Sequence, residues 1–170
     1  DLLAEGIRPA TLKSLLDNGW IESINVGAFQ APKPGPELNA EQRVAVKVMA
    51  EALGRFQPFL LAGVTGSGKT EVYLQLAAQV LERGAQVLMM IPEIGLTSQL
   101  IGRVESRLGQ KAWIYHSDLS EGERLRGWQA ARSGEAQLVI GTRSAVFLPF
   151  KNLGLIVVDE EHDASYKQID

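Results

Sequence analysis

The chain has 170 residues, of which 45% are hydrophobic and 22% charged, and carries a net charge of −3. This size suits one well-packed domain with a small appendage, and the acidic balance excludes a strongly basic protein that coats nucleic acid by charge excess. Cysteine is absent, which excludes disulfides and a cysteine-built zinc site within this stretch and suits a cytoplasmic protein; no apolar run could span a bilayer and no signal peptide is visible.

The pattern starts and stops abruptly, so the chain reads as a piece of something longer. Residues 9–18 suit a short helix with Leu12, Leu15 and Leu16 on one face, stopped by Asn18-Gly19. Residues 20–26 then read as a strand. Helix, tight turn and strand look like the closing half of a winged helix over residues 1–30. Such a segment is too short to bury a core alone and should dock elsewhere. Alternating prolines in Ala31-Pro32-Lys33-Pro34-Gly35-Pro36-Glu37 predict an extended, semi-rigid linker over 31–37.

From residue 38 onward, helices and strands alternate. A helix is expected over 38–53, with Asn39 as N-cap and Gly54 just past its end. Residues 59–62 read as a buried strand running into a glycine-rich turn. The next helix spans 71–82, with Val72, Leu76 and Val80 on one stripe and Gly84 closing it. Residues 86–91 form a strand, and a helix follows from Ser98 with Leu100, Val104 and Leu108 aligned. Residues 112–115 are a further strand, and Ser120 with Glu123 predicts a capping box for a helix carrying Leu125 and Trp128. Strands at 138–140 and 155–158 bring the expected number to five. Continuous apolar runs separated by helices indicate an α/β fold whose parallel sheet is covered on both faces.

Gly63-Val64-Thr65-Gly66-Ser67-Gly68-Lys69-Thr70 fits the P-loop pattern at every fixed position, between a predicted strand and a predicted helix. Its glycines let successive N–H groups point inward at phosphate oxygens, and the helix N-terminus adds partial positive charge. In this reading Gly63, Thr65, Gly66, Ser67, Gly68, Lys69 and Thr70 bind a nucleotide. Lys69 meets the β- and γ-phosphates, and the Thr70 hydroxyl ligates Mg²⁺. The bland reading is a glycine-rich turn with a surface lysine.

Asp159-Glu160-Glu161-His162 follows the last strand, where a carboxylate is needed beside a P-loop. Asp159 is the expected Mg²⁺ ligand and Glu160 the residue that orients and deprotonates an attacking water. His162 can hydrogen-bond across the cleft and report nucleotide occupancy. Taken alone, such an acidic cluster is usually a solvated loop; the P-loop is what gives it meaning.

The string at 159–162 matches the DExH box of superfamily two helicases. GVTGSGKTEVYL (63–74), PEIGLTSQL (92–100), HSDLSEGERLRGW (116–128) and GTRSAVFLPFKNLGLIVVDEEHDASYKQ (141–168) more specifically resemble the primosomal protein N′ family of bacterial replication-restart helicases. The resemblance implies a RecA-like P-loop lobe, the first motor lobe over 38–170 and truncated at its C-terminus, of a 3′→5′ DNA helicase. Such an enzyme uses ATP and Mg²⁺ on single-stranded or forked DNA and works with other primosome proteins, away from membranes. A 3′-end-binding domain, a second motor lobe with an arginine finger and a cysteine-rich zinc region belong to the whole family protein and are missing here. Turnover by this piece alone is therefore not expected. Two rival readings are a nucleotide-binding module without turnover and a P-loop phosphotransferase.

The resemblance also extends to smaller motifs. Gln42 sits where these helicases carry a Q-motif, whose amide can pair with the adenine edge; the competing reading is a capping box with Asn39. Residues 92–97 resemble motif Ia and 141–144 motif Ib. Both follow strands at their carboxyl ends, where ligands approach an open sheet. Thr97, Thr142 and Arg143 are thus candidates for DNA phosphates, against a capping role for the two threonines. Trp20, Trp113 and Trp128 read as core or interface residues rather than base-stacking platforms.

Overall fold

The structure, a computed structural model, describes residues 33–64 and 66–167 together with Thr11 and Ser14. The helix and strand expected over 9–26, and with them the winged-helix expectation for 1–30, otherwise lie outside the described residues. Thr65 lies outside them as well.

Helix α1 spans Ala40–Ala50, and α2 spans Lys69–Glu82. Strand β1 covers Gln86–Met90, α3 Ser98–Leu108, β2 Ala112–Tyr115 and α4 Glu121–Ser133. Strand β3 is Leu138–Gly141, and β4 is Leu153–Val158. The sheet is four-stranded, in the order β2–β3–β1–β4, and every pairing is parallel. This mixed α/β arrangement agrees with a RecA-like lobe.

The two central strands explain the uninterrupted apolar runs. Every residue of β1 and β3 is buried, so both faces need apolar side chains and no alternation survives. On one face Val87, Met89, Leu138 and Ile140 pack under α2 and α3, against Tyr73, Leu74, Ala77, Val80, Val104 and Leu108. On the other, Leu88, Met90 and Val139 pack against Ala130 and Ala131 of α4 and against Ala145 and Leu148. Each fully buried Val or Leu there contributes roughly 1.5–3 kcal/mol.

Helix ends follow the local chemistry. Asn39 and Ser120 form reciprocal capping boxes with Gln42 and Glu123, satisfying amides that the first turn leaves free. The Ser120 hydrogen bonds hold the Glu123 carboxyl below its ordinary pKa.

Two expectations are corrected. Residues 59–62 do not form a strand, and Leu60 is 81% exposed. An apolar run becomes a strand only where its backbone is paired in a ladder; residues 59–62 make no such pairing, and the outer edge of β4 stays open among the described residues. The sheet is also not covered on both faces throughout: Ile156 and Val158 on β4 remain exposed, and neither joins a core cluster among the described residues. Trp128 is also exposed, its ring lying 5.4 Å from the Arg132 guanidinium carbon, so α4 buries alanines rather than its tryptophan.

Candidate functional site

The loop preceding α2 is a tight glycine turn. Gly66 and Gly68 both have positive φ, 80° and 82°, which an L side chain adopts only at a cost. Gly68 is doubly constrained, because a Cβ there would also strike the Gln42 side-chain amide. The Lys69 ammonium folds back on the loop and donates to the carbonyls of Gly63 at 2.6 Å and Val64 at 3.1 Å. Across the loop, Gln42 donates from Nε2 to the Ser67 carbonyl at 2.9 Å, while its Oε1 accepts from the Asn39 amide at 2.9 Å. The capping reading of Gln42 is therefore realised, and both atoms that would meet adenine are already engaged.

Asp159 leaves the carboxyl end of β4, its amide donating to the Met90 carbonyl at 2.9 Å. The Glu160 backbone has φ +49°, a left-handed conformation in a residue other than glycine. Strain of this kind costs on the order of 1–3 kcal/mol and gathers at functional sites. The turn is shaped by a hydrogen bond from the Glu160 amide to Asp159 Oδ1 at 3.1 Å. His162 Nε2 lies 3.5 Å from Glu160 Oε2, with both side chains largely exposed.

These two segments meet. One cavity of about 520 Å³ is lined by Gly66, Ser67, Gly68, Lys69, Thr70, Asp159 and Glu160, with Pro34–Pro36 and Arg103 on its rim; cavities of 300–1,000 Å³ take small-molecule ligands. An adjoining hollow, bordered by Ile94, Gly95, Glu160 and His162, opens toward residues 92–95. A magnesium ion fits the donor set on the shared cavity, one carboxylate from Asp159 and one hydroxyl from Thr70, because Mg²⁺ takes few protein ligands and completes its shell with phosphate and water.

The other candidates are more dispersed. Thr97 caps α3, its Oγ1 accepting from the Leu100 amide at 3.3 Å. Thr142 is only 4% exposed, and its side chain makes no cap hydrogen bond. Arg143 beside it is exposed.

Several residues at the cavity or behind its lining escaped the sequence reading. Glu71 and Arg107 form a partly buried ion pair at 2.6 Å that ties α2 to α3, and the Gly35 backbone packs directly on it. Residues 34–36 are thereby seated beside the glycine loop. Tyr73 is the second omission: its hydroxyl donates to Asp159 Oδ2 at 3.1 Å. Burial raises its pKa to about 12, with the Thr70 hydroxyl pulling it down and the carboxylates of Asp159 and Glu160 pushing it up. Tyr166 is the third, raised by burial and then by Asp159, Asp163 and Glu160. The available signal was position, since Tyr73 follows Thr70 by one helical turn and a buried phenol seeks an acceptor.

Comparison with known proteins accords with this geometry. Residues 40–170 match the DEAD/DEAH box helicase family. The replication restart protein PriA of Synechocystis sp. is 47% identical over 166 residues, covering 94% of this chain and 20% of that protein. PriA of Bacillus subtilis is 42% identical over 170 residues, covering 94% of this chain and 21% of that protein. PriA of Haemophilus influenzae is 44% identical, covering 95% and 24%. The chain spans about a fifth to a quarter of the length of these relatives. Since the match takes in well over half of its residues, the chain belongs to the DEAD/DEAH box helicase family, and within it is homologous to PriA.

Proposed function

We propose that this chain is the ATP-binding first motor lobe of a 3′→5′ DNA helicase acting in replication restart. The observation that carries the reading is the single cavity shared by the glycine loop and the acidic turn. The loop amides and the α2 N-terminus would receive the phosphates of ATP. Lys69 would exchange its two loop carbonyls for phosphate oxygens, a trade of neutral acceptors for charged ones that favours the nucleotide. Thr70 and Asp159 would hold Mg²⁺, which when bound neutralises charge building up on the transferred phosphoryl group. Glu160 would orient the attacking water and take its proton. His162, on the hollow next to residues 92–95, would link the cleft to the motif Ia turn.

Single-stranded or forked DNA would cross the carboxyl ends of β1 and β3. There the exposed Arg143 supplies a phosphate contact and Thr97 a weaker one, while the buried Thr142 supports the turn. Gln42 is retained as a residue on the adenine side, provided its amide leaves Ser67 when nucleotide enters. A second lobe and other primosome proteins would complete the machine in the full-length protein.

The decisive experiment is Lys69→Ala in the full-length protein. DNA-stimulated phosphate release and unwinding should both fall by at least a hundredfold. Unwinding at the unsubstituted rate would refute the reading.

A further inference from the structure

Asp159 is gripped by two tyrosines from opposite sides of the sheet. Tyr73, on α2 and 8% exposed, belongs to the core beneath α2 and α3, and its hydroxyl reaches Asp159 Oδ2 at 3.1 Å. Tyr166 packs partly buried against the other core, under α4. Its hydroxyl donates to the Asp159 carbonyl at 3.0 Å. The short turn over Ala164–Tyr166 that carries it is itself capped by Asp163, whose Oδ1 accepts from the Ser165 amide at 2.8 Å.

Both hydrogen bonds act on Asp159, where the chain turns into its left-handed step at Glu160. One phenol fixes the carboxylate and the other fixes the carbonyl. The Asp159–Glu160 turn can then neither rotate about the aspartate side chain nor relax its backbone without giving up one of these part-buried hydrogen bonds. Outer groups of this kind orient metal ligands, and their removal commonly weakens a site ten- to a hundredfold.

We propose that Tyr73 and Tyr166 are positioning residues that clamp Asp159 and Glu160 in the orientation a magnesium-bound nucleotide requires. This rests on the reading of the shared cavity given above. Neither tyrosine is assigned contact with the nucleotide; each acts through Asp159.

The test is equilibrium binding of a fluorescent, non-hydrolysable ATP analogue to the full-length protein across a magnesium titration. In Tyr73→Phe the magnesium concentration for half-maximal tightening should rise roughly tenfold, with affinity for the metal-free analogue unchanged. Tyr166→Phe should shift it in the same direction by less, because its bond is to the backbone. Adding Tyr73→Phe to Asp159→Asn should shift the midpoint by much less than Tyr73→Phe does alone, since the tyrosine works chiefly through that carboxylate, with the Thr70 hydroxyl beside it. Midpoints within twofold of the unsubstituted protein in both phenylalanine variants, or an additive shift in the double variant, would overturn the clamp. Phenylalanine keeps the ring in its core, and an unchanged near-ultraviolet circular dichroism spectrum verifies the fold of each variant; should Tyr73→Phe not fold, the Tyr166→Phe midpoint alone decides. Magnesium-independent binding by the unsubstituted protein would overturn the cavity reading itself, whereas magnesium-dependent binding untouched by the variants overturns the clamp alone.

Discussion

Gln42 and Ser67 stand 25 residues apart in sequence, yet the Gln42 amide holds the Ser67 carbonyl at 2.9 Å. The same side chain closes the cap of α1 by accepting from the Asn39 amide. A helix terminus and the glycine loop therefore share one residue. The absence of a Cβ on Gly68 is what lets the amide lie against the loop.

Two substitutions separate the halves of this arrangement. Gln42→Glu keeps an acceptor for Asn39 but sets a carboxylate against the Ser67 carbonyl. ATP affinity should fall about tenfold through loss of the donor and new repulsion, with thermal stability nearly unchanged. Gln42→Ala removes both halves, so an additional loss of about 1 kcal/mol in folding stability is expected. Equilibrium nucleotide binding and thermal unfolding measure the two effects. Equal stability loss in both variants would show that the cap and the loop contact are not separable.

How far the sequence revealed this molecule depends on the range of the forces involved. Asn39 and Ser120 announced their helices because capping acts over three residues. The tight turn before α2 was legible because its glycines, two of them at positive φ, fall at fixed local spacing. Apolar runs located β1 and β3, whose burial on both faces demands them. The run at 59–62 looked equivalent, but a strand also needs a paired edge, and that is set by topology rather than by composition. The Tyr73–Asp159 hydrogen bond joins residues 86 positions apart, and nothing local to either one reports the other. Burial is equally invisible from local sequence: Thr142, at a strand end, is only 4% exposed.

Gln86 supplies a second long-range case. It opens β1 at 1% exposure, where an apolar residue would be expected. Its Nε2 donates to the carbonyls of Ala131 at 3.0 Å and Ala136 at 2.8 Å, and its Oε1 accepts from the Asn152 amide at 2.9 Å. One amide thus satisfies the end of α4, the entry to β3 and the approach to β4. Gln86→Leu preserves volume but leaves the Ala136 carbonyl and the Asn152 amide without their partner, while the Ala131 carbonyl keeps the Gly134 and Lys151 amides, so a loss of about 2 kcal/mol is expected. The urea midpoint should drop accordingly. A midpoint shift worth less than about 1 kcal/mol would mean that water replaces the amide.

Glu160 allows strain and chemistry to be separated at a single position. Its φ of +49° places it where glycine is at ease and other residues are not. Glu160→Ala and Glu160→Gly both delete the carboxylate, so both should reduce DNA-stimulated ATP hydrolysis in the full-length protein by at least a hundredfold. They should differ in stability, with glycine the more stable by about 1 kcal/mol, because alanine retains the Cβ that the left-handed conformation disfavours. Wherever glycine is flexible in the unfolded chain, its entropy works against that difference, so a stability gain over alanine is a strict sign of native strain. If thermal unfolding finds alanine equal to or more stable than glycine, the turn holds no strain for the tyrosines to maintain. A variant of either kind that still hydrolyses ATP at the unsubstituted rate would move the water-activating role to another side chain on the cavity.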